Sequence, residues 1–157
     1  VINRTLLLMG LASLAAPVAL PAASQTLRPQ MDLETARKMQ DGCLAFAKER
    51  KLKVAVAVYD YAGRLITFAY MDGTPTAVAE VAHWKARSAA TVQISSEETG
   101  KWNLPGVPGI ATVGGAVPLF DASWNALGGI GVSGASVEDD IACAKAGIAA
   151  SGVTQPK

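Results

Sequence analysis

The spacing of apolar positions changes several times along the chain, and each change marks an element. Leu33, Ala36, Gln40, Cys43, Leu44 and Ala47 fall near one stripe at helical spacing, with one polar interruption. Arg37, Lys38, Asp41, Lys48 and Glu49 mostly face away. The pattern predicts a helix capped by Asp32 and running to about Lys51, after a short tail over 25–31. Lys48, Arg50 and Lys51 suit the negative pole at its end. From Val54 to Tyr59 the run of Val and Ala reads as a strand buried on both faces or nearly so. Asp60-Tyr61-Ala62-Gly63 supplies turn chemistry. Arg64 to Tyr70 alternates as a second strand, and the short connection makes the pair an antiparallel hairpin.

An alanine-rich segment from Thr76 to about Val92 reads as a second helix. Ser95 to Lys101 is polar and fits one or two capped helical turns. Between Gly100 and Gly134 nine residues are glycine, and Pro105, Pro108 and Pro118 interrupt the stretch. That composition excludes a long helix. Short strands fit near Ile110–Val113, Ala116–Phe120 and Leu127–Val132. Ser136, with Asp139 three residues on, starts a last helix that Gly152 stops. Tight hairpins and a separated strand group predict one α+β domain. Its antiparallel sheet has about five strands, with helices packed on it.

Composition adds an address. The first 24 residues carry one charge, Arg4, followed by an apolar run from Leu6 to Ala16 and by Ala22-Ala23-Ser24. This is the pattern of a secretory leader, 1–24, before a mature domain over 25–157. An uncleaved membrane anchor is the alternative, which Pro17 and Pro21 disfavour. The expected location is the periplasm or the outside medium. Basic and acidic groups balance at 13 each after residue 24. A neutral chain has no field to gather nucleic acid. It also lacks the basic helix face of a membrane-surface protein. In an oxidising compartment Cys43 and Cys143 could bridge the first and last helices. Two separate buried thiols are the alternative.

Candidate chemistry is sparse. Gly129-Ile130-Gly131-Val132-Ser133-Gly134 has the G-x-G-x-x-G spacing. A dinucleotide site needs a parallel strand–turn–helix–strand unit. Glu138, Asp139 and Asp140 at the following helix start would repel a phosphate. The glycines are better read as letting another backbone or a flat ligand come close. Glu97-Glu98 and the 138–140 acids suit helix starts and solvated caps more than acid–base catalysis. Met31, Met39 and Met71 read as packing. His83 is the single histidine, with Ala79, Ala86 and Ala90 nearby on its helix. Such a site could admit a planar macrocycle with imidazole as the iron ligand, or simply a neighbouring helix.

Together these segments resemble the HbpS/GlcG-type haem-binding proteins. The similarity runs through Asp32-Leu33-Glu34-Thr35-Ala36, the Val54–Asp60 strand with Gly63, Phe68-Ala69-Tyr70-Met71-Asp72-Gly73 and Lys85-Ala86. It is strongest at Gly114-Gly115-Ala116-Val117-Pro118-Leu119 and at Gly129–Gly134, and covers nearly all of 31–150. The resemblance implies a broadly profilin-like domain, homo-oligomers, and haem or a related small ligand. Lys85, Gly114, Gly115 and Pro118 match its motif positions. His83 does not, so its role as metal ligand rests on its chemistry. The expected function is an exported haem- or tetrapyrrole-binding protein. The alternatives are an oxidative haem-degrading enzyme, or a metal-free sensor or accessory domain for another small metabolite.

Overall fold

The structure, a computed structural model, describes residues 27–104 and 106–153. The expected leader over 1–24 lies outside them. The elements follow in the order α1 (Leu33–Glu49), β1 (Ala55–Asp60), β2 (Leu65–Tyr70), α2 (Ala77–Val92), α3 (Ser96–Gly100), β3 (Ala116–Phe120), β4 (Ala126–Ser133) and α4 (Val137–Ser151). The expected caps form. Asp32 accepts from the Thr35 N–H at 2.7 Å, and Ser136 accepts from the Asp139 N–H at 3.1 Å.

Among the described residues four strands, not five, make one antiparallel sheet in the order β2-β1-β4-β3. The strand expected at Ile110–Val113 is absent for a backbone reason. The approach to it takes left-handed conformations at Asn103, Gly106 and Gly109. Its central residue, Ala111, then donates to Ser88 Oγ at 2.8 Å and accepts from Thr99 Oγ1. Helix side chains satisfy the peptide groups that a neighbouring strand would have taken.

The sheet has one helix on its front and two on its back. On the back, α1 lies over β2 and β1, and α4 over β4 and β3. Val54, Val56, Val58, Ile130, Val132 and Leu119 point there and meet Met39, Ala144 and Ile148. Cys43 and Cys143 form the bridge, with Cα atoms 4.6 Å apart. The helices can approach this closely because Gly42 and Gly147 face them. A Cβ on Gly147 would stand 2.3 Å from Met39 O.

On the front, α2 crosses β4, β1 and β3. The strand positions beneath it are small: Ala55 and Ala57 on β1, Gly129 and Gly131 on β4. A Cβ on Gly131 would meet Ala86 N at 2.4 Å and Ala82 O at 2.7 Å. A Cβ on Gly129 would meet Ala90 N at 2.5 Å. The first two glycines of the G-x-G-x-x-G run therefore seat a helix backbone on the sheet. Gly134, at φ 135°, fits against Lys53 O.

Two outcomes follow. Reduction of the bridge, or paired Cys43→Ser and Cys143→Ser, lowers stability by about 2–5 kcal/mol, read from urea midpoints. Gly131→Ala forces α2 off the sheet and costs about 1–3 kcal/mol in the same measurement, as overpacking does.

Candidate functional site

The small front strands bring α2 close to the sheet, and its two sides then do different things. His83 stands on the side toward the β1–β2 hairpin. Tyr59 ends the front-facing series Ala55, Ala57, Tyr59, and Phe68 pairs with Ala57 on the neighbouring strand. Both rings therefore reach His83. Tyr59 Oη lies 3.0 Å from His83 Nδ1. The Phe68 ring stacks on the imidazole at 4.4 Å with 26° between planes, and Tyr59 meets it edge-on. Burial pushes the Tyr59 phenol above its ordinary pKa, with Glu80 adding to the rise and Arg87 opposing it. The hydroxyl stays neutral and free to hydrogen-bond.

This arrangement fixes the imidazole. With the proton on Nδ1, the N–H donates to Tyr59 Oη and Nε2 carries the lone pair. No described residue hydrogen-bonds Nε2. The ring opens on a cleft of about 260 Å³ lined by Tyr59, Glu80, His83, Trp84, Arg87 and Gly109. Trp84 is 37% exposed there. Arg87 adds an exposed cation, tethered through Nε to Gly63 O at 3.3 Å. The residues fit an iron macrocycle with acidic side arms. They offer an oriented imidazole nitrogen, aromatic surface and one guanidinium.

Lys85, two residues on, leaves the helix on its other side and is 2% exposed. Its Nζ donates to Val132 O and to Asp140 Oδ2, each at 3.1 Å. The other Asp140 oxygen accepts from the Ala135 N–H at 3.1 Å. Burial raises the Asp140 pKa, against the pull of Lys85 and of that N–H. Gly115, at φ 125°, makes room for the pair. A Cβ there would stand 2.6 Å from Val132 O and 2.7 Å from Lys85 Nζ. Gly114 packs on Val137 and Ile141 in the same corner.

The five residues singled out in the sequence thus occupy three places. Lys85, Gly114 and Gly115 meet at the end of the sheet. Pro118 sits on β3 in a separate groove of about 430 Å³, with Val117, Ile141 and Lys145. His83 stands apart with Tyr59 and Phe68. Sequence reasoning missed these two partners, although strand alternation puts both on the front face. It also read all the 138–140 acids as solvated, whereas Asp140 is 2% exposed. No group of three or more His, Cys, Asp or Glu side chains forms a metal cluster among the described residues. No described helix is long and apolar enough to cross a membrane.

Comparison with known proteins identifies the fold and the family. A family model described as haem degrading protein HbpS-like matches residues 31–149. The crystal structure of HbpS is 30% identical, with a TM-score of 0.76 over 84% of this chain and 97% of that one. A complex of PduOC with haem is 23% identical, with a TM-score of 0.75 over 82% of this chain and all of that one. Klebsiella pneumoniae ORFY is also 23% identical, with a TM-score of 0.75 over 87% of this chain and all of that one. A search of curated protein sequences finds no match.

The buried pair invites a direct test. Lys85→Met leaves the Asp140 carboxylate buried without its cation and costs about 3–5 kcal/mol. The double change Lys85→Met with Asp140→Leu recovers most of that loss. Urea unfolding of the three variants checks both statements.

Proposed function

Because the chain belongs to the HbpS-like family, we propose that it binds haem, or a close tetrapyrrole relative, through Nε2 of His83. The observation that carries this reading is the imidazole itself. It is pinned through Nδ1 by Tyr59, stacked on Phe68, and left with an unpartnered nitrogen at the mouth of a cleft. When bound, haem would supply an iron that the Nε2 lone pair of His83 would hold. With Tyr59 Oη accepting from the Nδ1 N–H, the Nε2 lone pair is available. Trp84 offers an apolar surface, and Arg87 can hold a propionate. Lys85, Gly114 and Gly115 contribute by fixing α2, the helix that carries His83. The likeness to PduOC, whose structure contains haem, supports the same ligand class.

The protein acts outside the cytoplasm as a homo-oligomer. Two features support export: the leader pattern over 1–24 and the disulfide, which an oxidising compartment maintains. The cleft of about 260 Å³ is smaller than pockets that enclose a small ligand, about 300–1,000 Å³. A macrocycle held by His83 would extend beyond this cleft, and a neighbouring copy would complete its cover.

Haem titration followed at the Soret band tests this reading. Wild-type protein shifts the band, and His83→Ala abolishes the shift. Tyr59→Phe removes the Nδ1 partner and weakens binding about 10–100-fold, as loss of a partner behind a metal ligand does. No shift in the wild type would overturn haem and leave a metal-free metabolite site. Verdohaem or biliverdin formed with reductant and oxygen would make this site that of a degrading enzyme.

A further inference from the structure

The groove that holds Pro118 lies along β3, at the opposite edge of the sheet from Phe68. Its volume of about 430 Å³ exceeds that of the His83 cleft and falls within the range of small-ligand sites, about 300–1,000 Å³. The groove is not built to add a strand. Val132 N–H donates to Gly115 O, so the alternation turns the peptide groups of Ala116 and Pro118 outward. Ala116 N–H already donates to Ser96 Oγ at 2.9 Å, and Pro118 has no N–H. An incoming strand finds no donor at either position.

The floor is apolar, with Ile94, Pro118 and Ile141, and Gln93 adds a neutral amide to the rim. Two charges of opposite sign flank it. Lys101 engages Glu98 at 2.8 Å, whereas Glu97 and Lys145 form no ion pair among the described residues. These two stand toward opposite ends. Glu97 belongs to the corner at Gly114, where an added Cβ would meet Val137 Cγ1 at 2.6 Å and Glu97 Cβ at 3.7 Å. Both β3 and α4 leave that corner. From Gly114 to Pro118 is about 13 Å of strand, and from Val137 to Lys145 about 12 Å of helix.

We propose that this groove binds a small zwitterion whose ammonium and carboxylate stand apart, the chemistry of a free dipeptide. Glu97 takes the ammonium, Lys145 takes the carboxylate, and the apolar floor takes the side chains between them. The Gln93 amide can donate to and accept from the central peptide group. A free amino acid carries both charges on one carbon and cannot reach the two ends together. A longer peptide would need the strand pairing that this edge denies. Nothing in this assignment depends on haem or on His83.

Calorimetric titration with the dipeptide alanyl-leucine tests this. The wild type binds it, and acetylating its amine or amidating its carboxylate each weakens binding about fivefold or more. Leucine alone also binds more weakly. Glu97→Gln binds the free and the acetylated dipeptide alike, and Lys145→Met binds the free and the amidated dipeptide alike, as a double-mutant cycle requires. Both side chains are exposed, so the two variants keep the wild-type urea midpoint. Amide resonances of Val117 and Ile141 shift on binding, and that of Phe68 does not. Absence of binding at about 10 mM dipeptide overturns the assignment. So does binding that both substitutions leave intact. A Soret response lost in His83→Ala, without dipeptide binding, upholds the haem site and refutes this one. Dipeptide binding without a Soret response does the reverse.

Discussion

The contact on which the front of this molecule depends is backbone against backbone: α2 on the glycines of β4. Gly131 and Gly129 stand opposite Ala86, Ala82 and Ala90 with no side chain between them. A helix seated this closely has little freedom to slide or roll, because any added carbon on the strand collides with a peptide unit. The rotation of α2 fixes which residues face the hairpin and which face the end of the sheet. His83 and Lys85, two residues apart, are sent in different directions by that one contact.

The back of the sheet is held by other means. Gly42 and Gly147 let α1 and α4 approach, and the Cys43–Cys143 bridge ties them. Lys85 and Asp140 then connect front to back, since Lys85 leaves α2 and Asp140 belongs to α4. A buried ion pair is a poor source of net stability compared with apolar packing. It does discriminate between arrangements, because a displaced α2 would strand two charges away from water. The pair and the glycine seat therefore enforce the same placement of the helix by independent physics.

Much of this was legible in the sequence. The helices, the hairpin and the last two strands follow from periodicity and turn residues, and Asp32 and Ser136 cap where expected. The acids after Gly134 and the antiparallel context argued against a phosphate loop, and the glycines do serve close packing. Other features depend on contacts between distant residues. Ile110–Val113 has the composition of a strand, yet Ser88 and Thr99 claim the peptide groups of Ala111. Asp140 looks like one more acid at a helix start. What distinguishes it from Asp139 is which side of α4 meets Lys85, and that depends on the tertiary fold. The partners of His83 lie on two other elements, and only the packing of α2 on the hairpin brings Tyr59 and Phe68 to the imidazole.

The uneven coverage of the sheet explains why the imidazole stands at one side of it. The back has two helices, a disulfide and the larger apolar core. The front has a single long helix, centred on β4 because the glycines are there. Centring α2 on β4 brings it over β1 and β3 but leaves β2 beyond its reach. His83 spans part of that distance by stacking on Phe68, which holds the imidazole at the margin of the helix. A wider helix layer would have buried both the imidazole and the open strand edge. The same glycines that make the fold compact thus leave an open margin beside β2.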